Sequence, residues 1–146
     1  MARDELNPAL LMFIAYRSME RRVLEGVAAA GFDDITLAQA RIFQRIGPGG
    51  TRLVELAEQA QVTKQTAGFL VDQLERAGYV ERVPDPSDAR ARLVRIAERG
   101  RAAQVAAGAV VTAVEQEWAD HLGRRRMGAL RESLTLLREI TDPYGR

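Results

Sequence analysis

Apolar side chains recur at helical spacing through most of the chain, and the first such stretch starts near the N-terminus. Asn7 can cap a helix and Pro8 suits its first position, so a helix is predicted from there to about Ala30, where Gly31 would end it. Residues 10–16 are consecutive apolar or aromatic residues, which is more than one buried face requires. This excess predicts that a second chain covers part of the helix.

Two shorter helices are predicted next. Thr36 and Gln39 match the capping box at a helix start, and the second helix is expected to end at Gly47. After the turn at residues 48–50, Thr51 is expected to open a third helix. Because the connection to the following helix is very short, the pair predicts a helix-turn-helix.

The fourth helix has a polar first turn and one apolar stripe. Thr63 is a suitable N-cap for it, and Gly78 a suitable end. One face carries apolar residues at the spacing of a buried stripe: Ala67, Leu70, Val71 and Leu74. At about 100° per residue, the opposite face presents three other residues: Gln65, Phe69 and Arg76. We therefore expect this opposite face, with its exposed Phe, to meet a partner.

Two strand-like runs follow, at residues 79–83 and 92–97. Residues 84–90 between them contain two prolines, which cannot donate to a strand ladder, so a loop is predicted there. A helix followed by strand, loop and strand is the outline of a winged helix. Two further helices are predicted, one from Glu98 onward and one over about residues 124–140, and the last has more apolar surface than one face needs.

Composition narrows the class of protein. The 146 residues suffice for one compact domain, and 47% hydrophobic with 28% charged residues is ordinary for a soluble protein. No apolar run approaches the ~18 residues that span a bilayer, and the N-terminus lacks a signal-peptide pattern, so a cytoplasmic protein without a membrane partner is expected. With no Cys and one His, neither a thiolate nor a histidine metal cluster can form within the chain. Because no nucleophile with its base and no phosphate-binding loop is visible, neither an enzyme nor a cofactor is expected.

Positive charge is concentrated around the predicted hairpin. Residues 76–101 contain seven Arg against four acidic residues, although the whole chain has a net charge of +1. A basic hairpin beside a polar helix face suits a polyphosphate partner such as nucleic acid. The alternative is a solvated hairpin on an ordinary α+β domain.

The same region carries a family resemblance. The run LVDQLERAGYVERVPDPSDARARLVRI at residues 70–96 resembles the passage from recognition helix to wing in the MarR (multiple antibiotic resistance regulator) family. It includes the D-x-R of the wing, at Asp88 and Arg90. Upstream, LAEQAQVTKQT resembles the helix-turn-helix core of these proteins. Two positions depart from the family pattern, Gln61 at a turn position that is often Gly and Ala97 where many members have Thr.

The resemblance implies a mostly α winged helix-turn-helix fold with a small β-hairpin wing. Residues 1–146 would form a single chain in which residues 34–100 are the DNA-binding lobe and residues 1–31 and 101–146 the dimerisation region. It also implies a homodimeric regulator of transcription, most often a repressor, on an inverted repeat of double-stranded DNA. A small aromatic or lipophilic effector would bind between the dimerisation helices and the lobe. The alternative function is a winged helix used only for protein contacts.

Particular side chains follow as candidates. Those expected to contact DNA are Arg52, Thr63, Lys64, Gln65, Thr66, Phe69, Asp88, Arg90 and Arg92. Among them, Gln65 is expected to read an adenine edge, Phe69 a thymine methyl group, and Arg90, held by Asp88, a narrow minor groove. The first helix supplies candidates for lining an effector pocket: Phe13, Tyr16 and Arg17. For these aromatic residues, a role in the core is the alternative.

Overall fold

The computed structural model describes residues 5–145, which form six helices and a two-stranded antiparallel sheet. The helices are α1 (Pro8–Ala29), α2 (Leu37–Phe43), α3 (Leu53–Ala60), α4 (Lys64–Arg76), α5 (Glu98–Leu122) and α6 (Arg124–Thr141). The strands are β1 (Val80–Asp85) and β2 (Asp88–Ile96), and we call their hairpin the wing. The predicted fold class is confirmed. Residues 1–4 and 146 of the predicted dimerisation region lie outside the described residues.

The chain divides into two compact units, Met1–Val110 and Val111–Arg146. The first unit holds α1 to α4, the wing and the start of α5. The second holds the rest of α5 and α6, where the Arg131 guanidinium lies 3.3 Å from the Glu115 carboxylate. No helix within residues 5–145 combines the length and the apolarity that crossing a membrane requires.

The predicted helix starts at Asn7, Thr36 and Thr63 are confirmed. The side chain of Asn7 accepts the backbone N–H of Leu10 at 2.9 Å. Thr36 accepts from Gln39 at 3.2 Å, and the Gln39 amide oxygen accepts the Thr36 N–H at 3.0 Å, which completes the capping box. Each cap satisfies backbone donors that the first helical turn leaves unpaired. These boundaries follow from local sequence alone.

Helix α2 is shorter than predicted. It ends at Phe43 rather than at Gly47, and the chain continues through tighter turns in which Ile46 N–H donates to Phe43 O at 3.2 Å. The Gly47 N–H donates instead to the Thr51 hydroxyl at 2.9 Å. Ile46 is nevertheless buried in the core, so the apolar spacing was a correct guide to burial but not to helix length.

The prediction that Thr51 opens α3 is wrong. Thr51 pairs with Val94 of β2 through two backbone hydrogen bonds, at 2.8 and 2.9 Å, and is buried. The N-cap of α3 is Arg52, whose side chain makes no capping bond. The β-branched Thr51 suits an extended conformation, and pairing with the wing satisfies both of its backbone groups.

The wing is longer and its tip tighter than predicted. Residues 84–90 were expected to form a loop, but the strands run on until only Pro86 and Ser87 separate them. Pro84 lies within β1 opposite Arg92, which is tolerated because β1 is an edge strand and a proline there need not donate. Beyond Pro84 the register breaks, and Asp85 lies opposite Asp88.

The core of the first unit lies under α4. The buried stripe predicted for this helix is confirmed, and it packs with apolar residues from α2, α3, both strands and α5. The largest fully buried side chains in this cluster are Tyr79, Ile42, Leu56, Leu74, Val71, Val80 and Val94. Because one face of α4 is fixed in this core, its opposite face is held outward on a rigid support.

Candidate nucleic-acid interface

The first turn of α4 is exposed and polar. Thr63 accepts the backbone N–H of Thr66 at 3.1 Å, and its own hydroxyl donates to the Thr66 hydroxyl at 3.0 Å. The O–H of Thr66 is therefore still able to donate to an external acceptor, whereas Thr63 is largely occupied as the cap. Lys64 and Gln65 are exposed beside them.

The solvent side of the first turns of α4 offers three kinds of contact. Gln65 carries an amide that can pair with two groups of a base edge, and Lys64 a cation suited to phosphate. One turn further, Phe69 is 60% exposed, although large apolar side chains usually find cover. The structure places these three predicted residues on the solvent side of the helix.

Arg82 attaches the base of the wing to α4. Its guanidinium lies 2.8 Å from Asp72 and 2.9 Å from Glu75, and its backbone N–H donates to Glu75 at 3.1 Å. The side chain is only 19% exposed. In the sequence, Arg82 is one of seven arginines around the hairpin, and its positioning role was not predicted.

Asp85 organises the tip of the wing. One carboxylate oxygen accepts the Ser87 N–H at 2.9 Å and the Ser87 hydroxyl at 2.7 Å. The other oxygen lies 2.8 Å from Nε and 2.7 Å from Nη2 of Arg52. The bonds from Ser87, together with the Arg52 guanidinium, lower the pKa of Asp85 to about 2. The aspartate two residues before a serine was the available sequence signal for this turn.

Asp88 holds the backbone of Arg90 and leaves its guanidinium without an acidic partner. The Arg90 N–H donates to Asp88 Oδ1 at 3.0 Å. Within residues 5–145 no ion pair links the two side chains, so the expectation that Asp88 holds the guanidinium itself is corrected. Both residues are exposed, as is Arg92 on the return strand. The Arg90 guanidinium is therefore available for an external anion.

Internal pairing removes much of the predicted basic charge. Two arginines other than Arg82 are also paired. The Arg95 guanidinium lies 2.6 Å from the Glu81 carboxylate, and the Arg99 guanidinium lies 3.0 Å from the Asp34 carboxylate. In the described part of the chain, four arginines of the region have no acidic side chain as partner: Arg76, Arg90, Arg92 and Arg101. Positive charge that can meet a polyphosphate is thus limited to a few positions, two of them on β2.

Tyr79 joins the start of the wing to the segment before α2. Its hydroxyl donates to Asp34, which also accepts from Arg99, and the Arg99 guanidinium lies 4.3 Å from the centre of the Tyr79 ring. Burial, and next the hydrogen bond to Asp34, raise the pKa of Tyr79 to about 12. The same hydrogen bond lowers the pKa of Asp34. This cluster fixes where the wing begins relative to α2 and α5.

The predicted effector residues lie on α1, and two of them border a cleft. The Arg17 guanidinium is 5.6 Å from the centre of the Phe13 ring, and both line an open cleft of about 540 Å³ together with Glu20 and Leu37. Tyr16 does not line it; its hydroxyl accepts from the Gln44 side chain at 2.9 Å.

Comparisons with known proteins agree with this geometry. Residues 33–91, which hold α2 to α4 and much of the wing, match a family model described as MarR family. Over 113 residues, 73% of this chain, the sequence is 29% identical to the exopolysaccharide II synthesis transcriptional activator ExpG of Rhizobium meliloti (strain 1021). The match covers 57% of that relative, so the chain spans little more than half of its length.

Solved structures share the fold. Wild-type MarR from E. coli in its apo form is 24% identical, with a TM-score of 0.73 and coverage of 92% of this chain and 98% of that one. A mutant of S. aureus MepR bound to an oligodeoxyribonucleotide is 19% identical, with a TM-score of 0.59 and coverage of 94% and 100%. The family and these relatives are transcription regulators rather than enzymes. Residues 33–91 thus match the MarR family model, and the chain is similar in its winged helix-turn-helix fold to the transcription regulators of that family.

Proposed function

We propose that this chain is a sequence-specific regulator that binds an inverted repeat of double-stranded DNA as a homodimer and represses transcription from it. One observation carries the proposal: the exposed polar first turn of the well-supported helix α4 stands beside an anchored wing whose Arg90 has no acidic partner within residues 5–145. The match of residues 33–91 to the MarR family model supports the same function. The similar proteins come from bacteria, in which a protein that binds chromosomal DNA acts in the cytoplasm, and the same location is proposed for this chain.

In the proposed complex, α4 occupies a major groove. Gln65 would pair with an adenine edge, and Phe69 would pack against a thymine methyl group. Lys64 and Thr66 would contact phosphates and fix the register of the helix. Two copies related by a two-fold axis would place their α4 helices in successive major grooves, about 34 Å apart, which requires an inverted repeat.

The wing would reach the neighbouring minor groove. It follows α4 directly, and Arg82 ties the base of the wing to that helix. A guanidinium is weakly hydrated and prefers the negative potential of a narrow A·T-rich groove. Arg90 would enter that groove, Asp88 would shape the backbone around it, and Arg92 would contact phosphate only.

The test compares Arg90→Ala with Arg92→Ala on the DNA upstream of the protein's own coding region. Fluorescence anisotropy at near-physiological salt should show that Arg90→Ala costs about 1 to 3 kcal/mol on the specific site. Arg92→Ala should weaken specific and random DNA by the same factor. Thermal unfolding should be nearly unchanged in both variants, because neither side chain is paired within the described chain. Wild-type operator affinity in Arg90→Ala would leave recognition to α4 alone.

The same assay separates the proposal from a winged helix that serves only protein contacts. Wild-type protein that binds all DNA weakly and equally would support that second function. The direction of regulation is read from a promoter fusion, since the relative from R. meliloti carries the name of an activator. Repression predicts that deleting the protein raises expression from its own operator.

An effector is the remaining part of the proposal. The cleft beside Phe13 and Arg17 pairs an aromatic ring with a guanidinium, which suits a small aromatic compound. Compounds of this class, added to the anisotropy assay, should release the wild-type protein from its operator and should act more weakly on Phe13→Ala.

A further inference from the structure

We infer that Arg52 is a positioning residue, which holds the wing tip through Asp85 so that Arg90 meets DNA, and that it does not itself bind phosphate. This inference rests on the proposed DNA-binding function. It departs from the sequence-based expectation that Arg52 contacts DNA directly.

Arg52 stands on a fixed base. Its backbone carbonyl accepts the Leu56 N–H at 3.0 Å and so begins α3. The preceding Thr51 is buried and pairs with Val94 of β2. Because the backbone is hydrogen-bonded both before and at Arg52, the Arg52 side chain can keep a group that it binds in a fixed position.

The side chain is already engaged at its charged end. Two guanidinium nitrogens of Arg52, Nε and Nη2, lie within 2.8 Å of the same Asp85 oxygen. The other oxygen of Asp85 is occupied by two bonds from Ser87. A phosphate would have to compete with this carboxylate for Arg52, whereas the Arg90 guanidinium has no such competitor within residues 5–145.

The backbone of the wing tip makes few hydrogen bonds, so the ion pair between Arg52 and Asp85 is important for holding it. Pro84 and Pro86 flank Asp85 and lack an N–H, so in this stretch only Asp85 itself offers a backbone donor. The register also breaks between Pro84 and Asp85. A two-stranded hairpin is marginal without further support. Side chains therefore hold the tip where the ladder does not.

The contact lies next to the segment that carries Arg90. Asp85 is opposite Asp88 across the strand pair, and Asp88 accepts the Arg90 N–H. Arg52, Asp85, Asp88 and Arg90 thus form a continuous series from the start of α3 to the wing tip. Loss of the first contact is expected to free the tip without removing Arg90.

The experiment uses Arg52→Ala, Asp85→Asn and the pair of them, measured on operator DNA by anisotropy. Asp85→Asn keeps an oxygen for Ser87 but removes the charge that holds Arg52. If Arg52 positions the tip, Arg52→Ala weakens binding about 10-fold, Asp85→Asn also weakens it, and the double variant is no worse than Arg52→Ala. If Arg52 binds phosphate, removing an acid beside it raises affinity, so a tighter-binding Asp85→Asn overturns the inference.

A second arm asks whether Arg52 acts through Arg90. In an Arg90→Ala background, Arg52→Ala should change affinity less than about twofold, because the residue being positioned is gone. A full 10-fold loss in that background overturns the inference. Thermal unfolding of each variant confirms that the lobe remains folded.

The third arm needs no DNA. In the free protein, Arg52→Ala should speed amide exchange at Arg90 by at least about fivefold, although Asp88 and Arg90 are unchanged. Unchanged exchange overturns the inference. This arm also separates the two proposals: wild-type protein without preference for any promoter DNA sinks the proposed function, while the exchange rate still decides whether Arg52 holds the tip.

Discussion

Gly68 lies in the middle of α4, where glycine is a poor helix former, yet nothing in the fold requires it. Its φ is not positive, and an added Cβ would meet only Leu53 Cδ2, at the ordinary contact distance of 3.7 Å. Around the helix it lies about 60° from Gln65, at the edge of the outward face. A missing side chain at this position is useful where a DNA backbone comes close.

We therefore expect Gly68→Ala to change stability and DNA binding in opposite directions. The alanine should raise the free energy of unfolding by about 0.5 to 1 kcal/mol, because it lowers the entropy cost of the helix. It should weaken operator binding, because the methyl group meets the DNA. Urea unfolding and anisotropy on the same samples measure both effects. A stabilised variant with wild-type affinity would show that DNA does not approach Gly68.

Tyr79 should be recognisable by its titration. Its pKa of about 12 lies above the ordinary value near 10, since burial and the Asp34 carboxylate oppose the phenolate. The folded state therefore favours the protonated ring. The resulting stability is fully present below pH 10 and is lost as the pH rises from 10 to 12.

Absorbance titration of the phenolate in the folded protein should contain a component with a pKa of about 12 that is missing in Tyr79→Phe. The same variant should lose less stability than the wild type between pH 10 and 12. Persistence of the late component in Tyr79→Phe would assign it to another tyrosine.

At the scale of elements, neighbouring residues were sufficient to predict the helix caps but not to predict which strands pair. The caps at Asn7, Thr36 and Thr63 and the buried stripe of α4 depend on neighbours a few residues away, so the sequence could predict them. The two errors at Thr51 and the wing tip have one cause. Thr51 pairs with Val94, which is distant in sequence, and Pro84 pairs with Arg92 across a turn. Neither pairing depends on residues only a few positions away.

The candidate site shows the same division. Exposure of Gln65 and Phe69 followed from helical periodicity and is confirmed. The partners of Arg52 and Arg82 could not be predicted, because counting charges along the chain does not tell which arginine meets which carboxylate. The assignment of individual side chains to bases or phosphates stays a prediction.

The junction of the wing with α5 should be the most sensitive point in the lobe. A Cβ at Gly100 would lie 2.1 Å from the backbone oxygen of Tyr79, which already accepts the Ala97 N–H at 3.0 Å. That oxygen cannot retreat without losing its bond. Gly108 lies further along the same helix, and a Cβ added there would meet no atom of the described residues within 4 Å.

Gly100→Ala should therefore lower the free energy of unfolding by about 3 kcal/mol or more, since overpacking against a main-chain atom leaves little room to relax. Gly108→Ala should raise it by about 1 kcal/mol through helix propensity alone. Urea unfolding of the two variants beside the wild type measures the difference. Equal stabilities would mean that α5 can shift away from Tyr79 at no cost.

At the scale of the whole molecule, both units leave large apolar side chains uncovered. In the first unit, residues 10–14 of α1 include a run of half-exposed side chains, among them Leu11 at 53%. In the second unit, Ile140 of α6 is 85% exposed, with Leu136 also exposed. Several large apolar side chains exposed on one helix, as on α1, are typical of an interface. It supports the prediction, drawn first from residues 10–16, that a second copy of the chain covers α1.

Substitution of a single exposed residue tests this prediction without damaging the fold of one chain. Leu11→Glu removes apolar contact at two symmetry-related places, so at about 1.5 to 3 kcal/mol each it should raise the dimer dissociation constant at least about 100-fold. Val54→Glu is the matched control, because Val54 is 48% exposed but lies on α3, within the residues proposed to bind DNA. Analytical ultracentrifugation across micromolar concentrations should give monomers for Leu11→Glu and wild-type dimers for Val54→Glu. An unchanged dimer in Leu11→Glu would place the interface elsewhere, and the two α4 helices would then lack the arrangement that an inverted repeat requires.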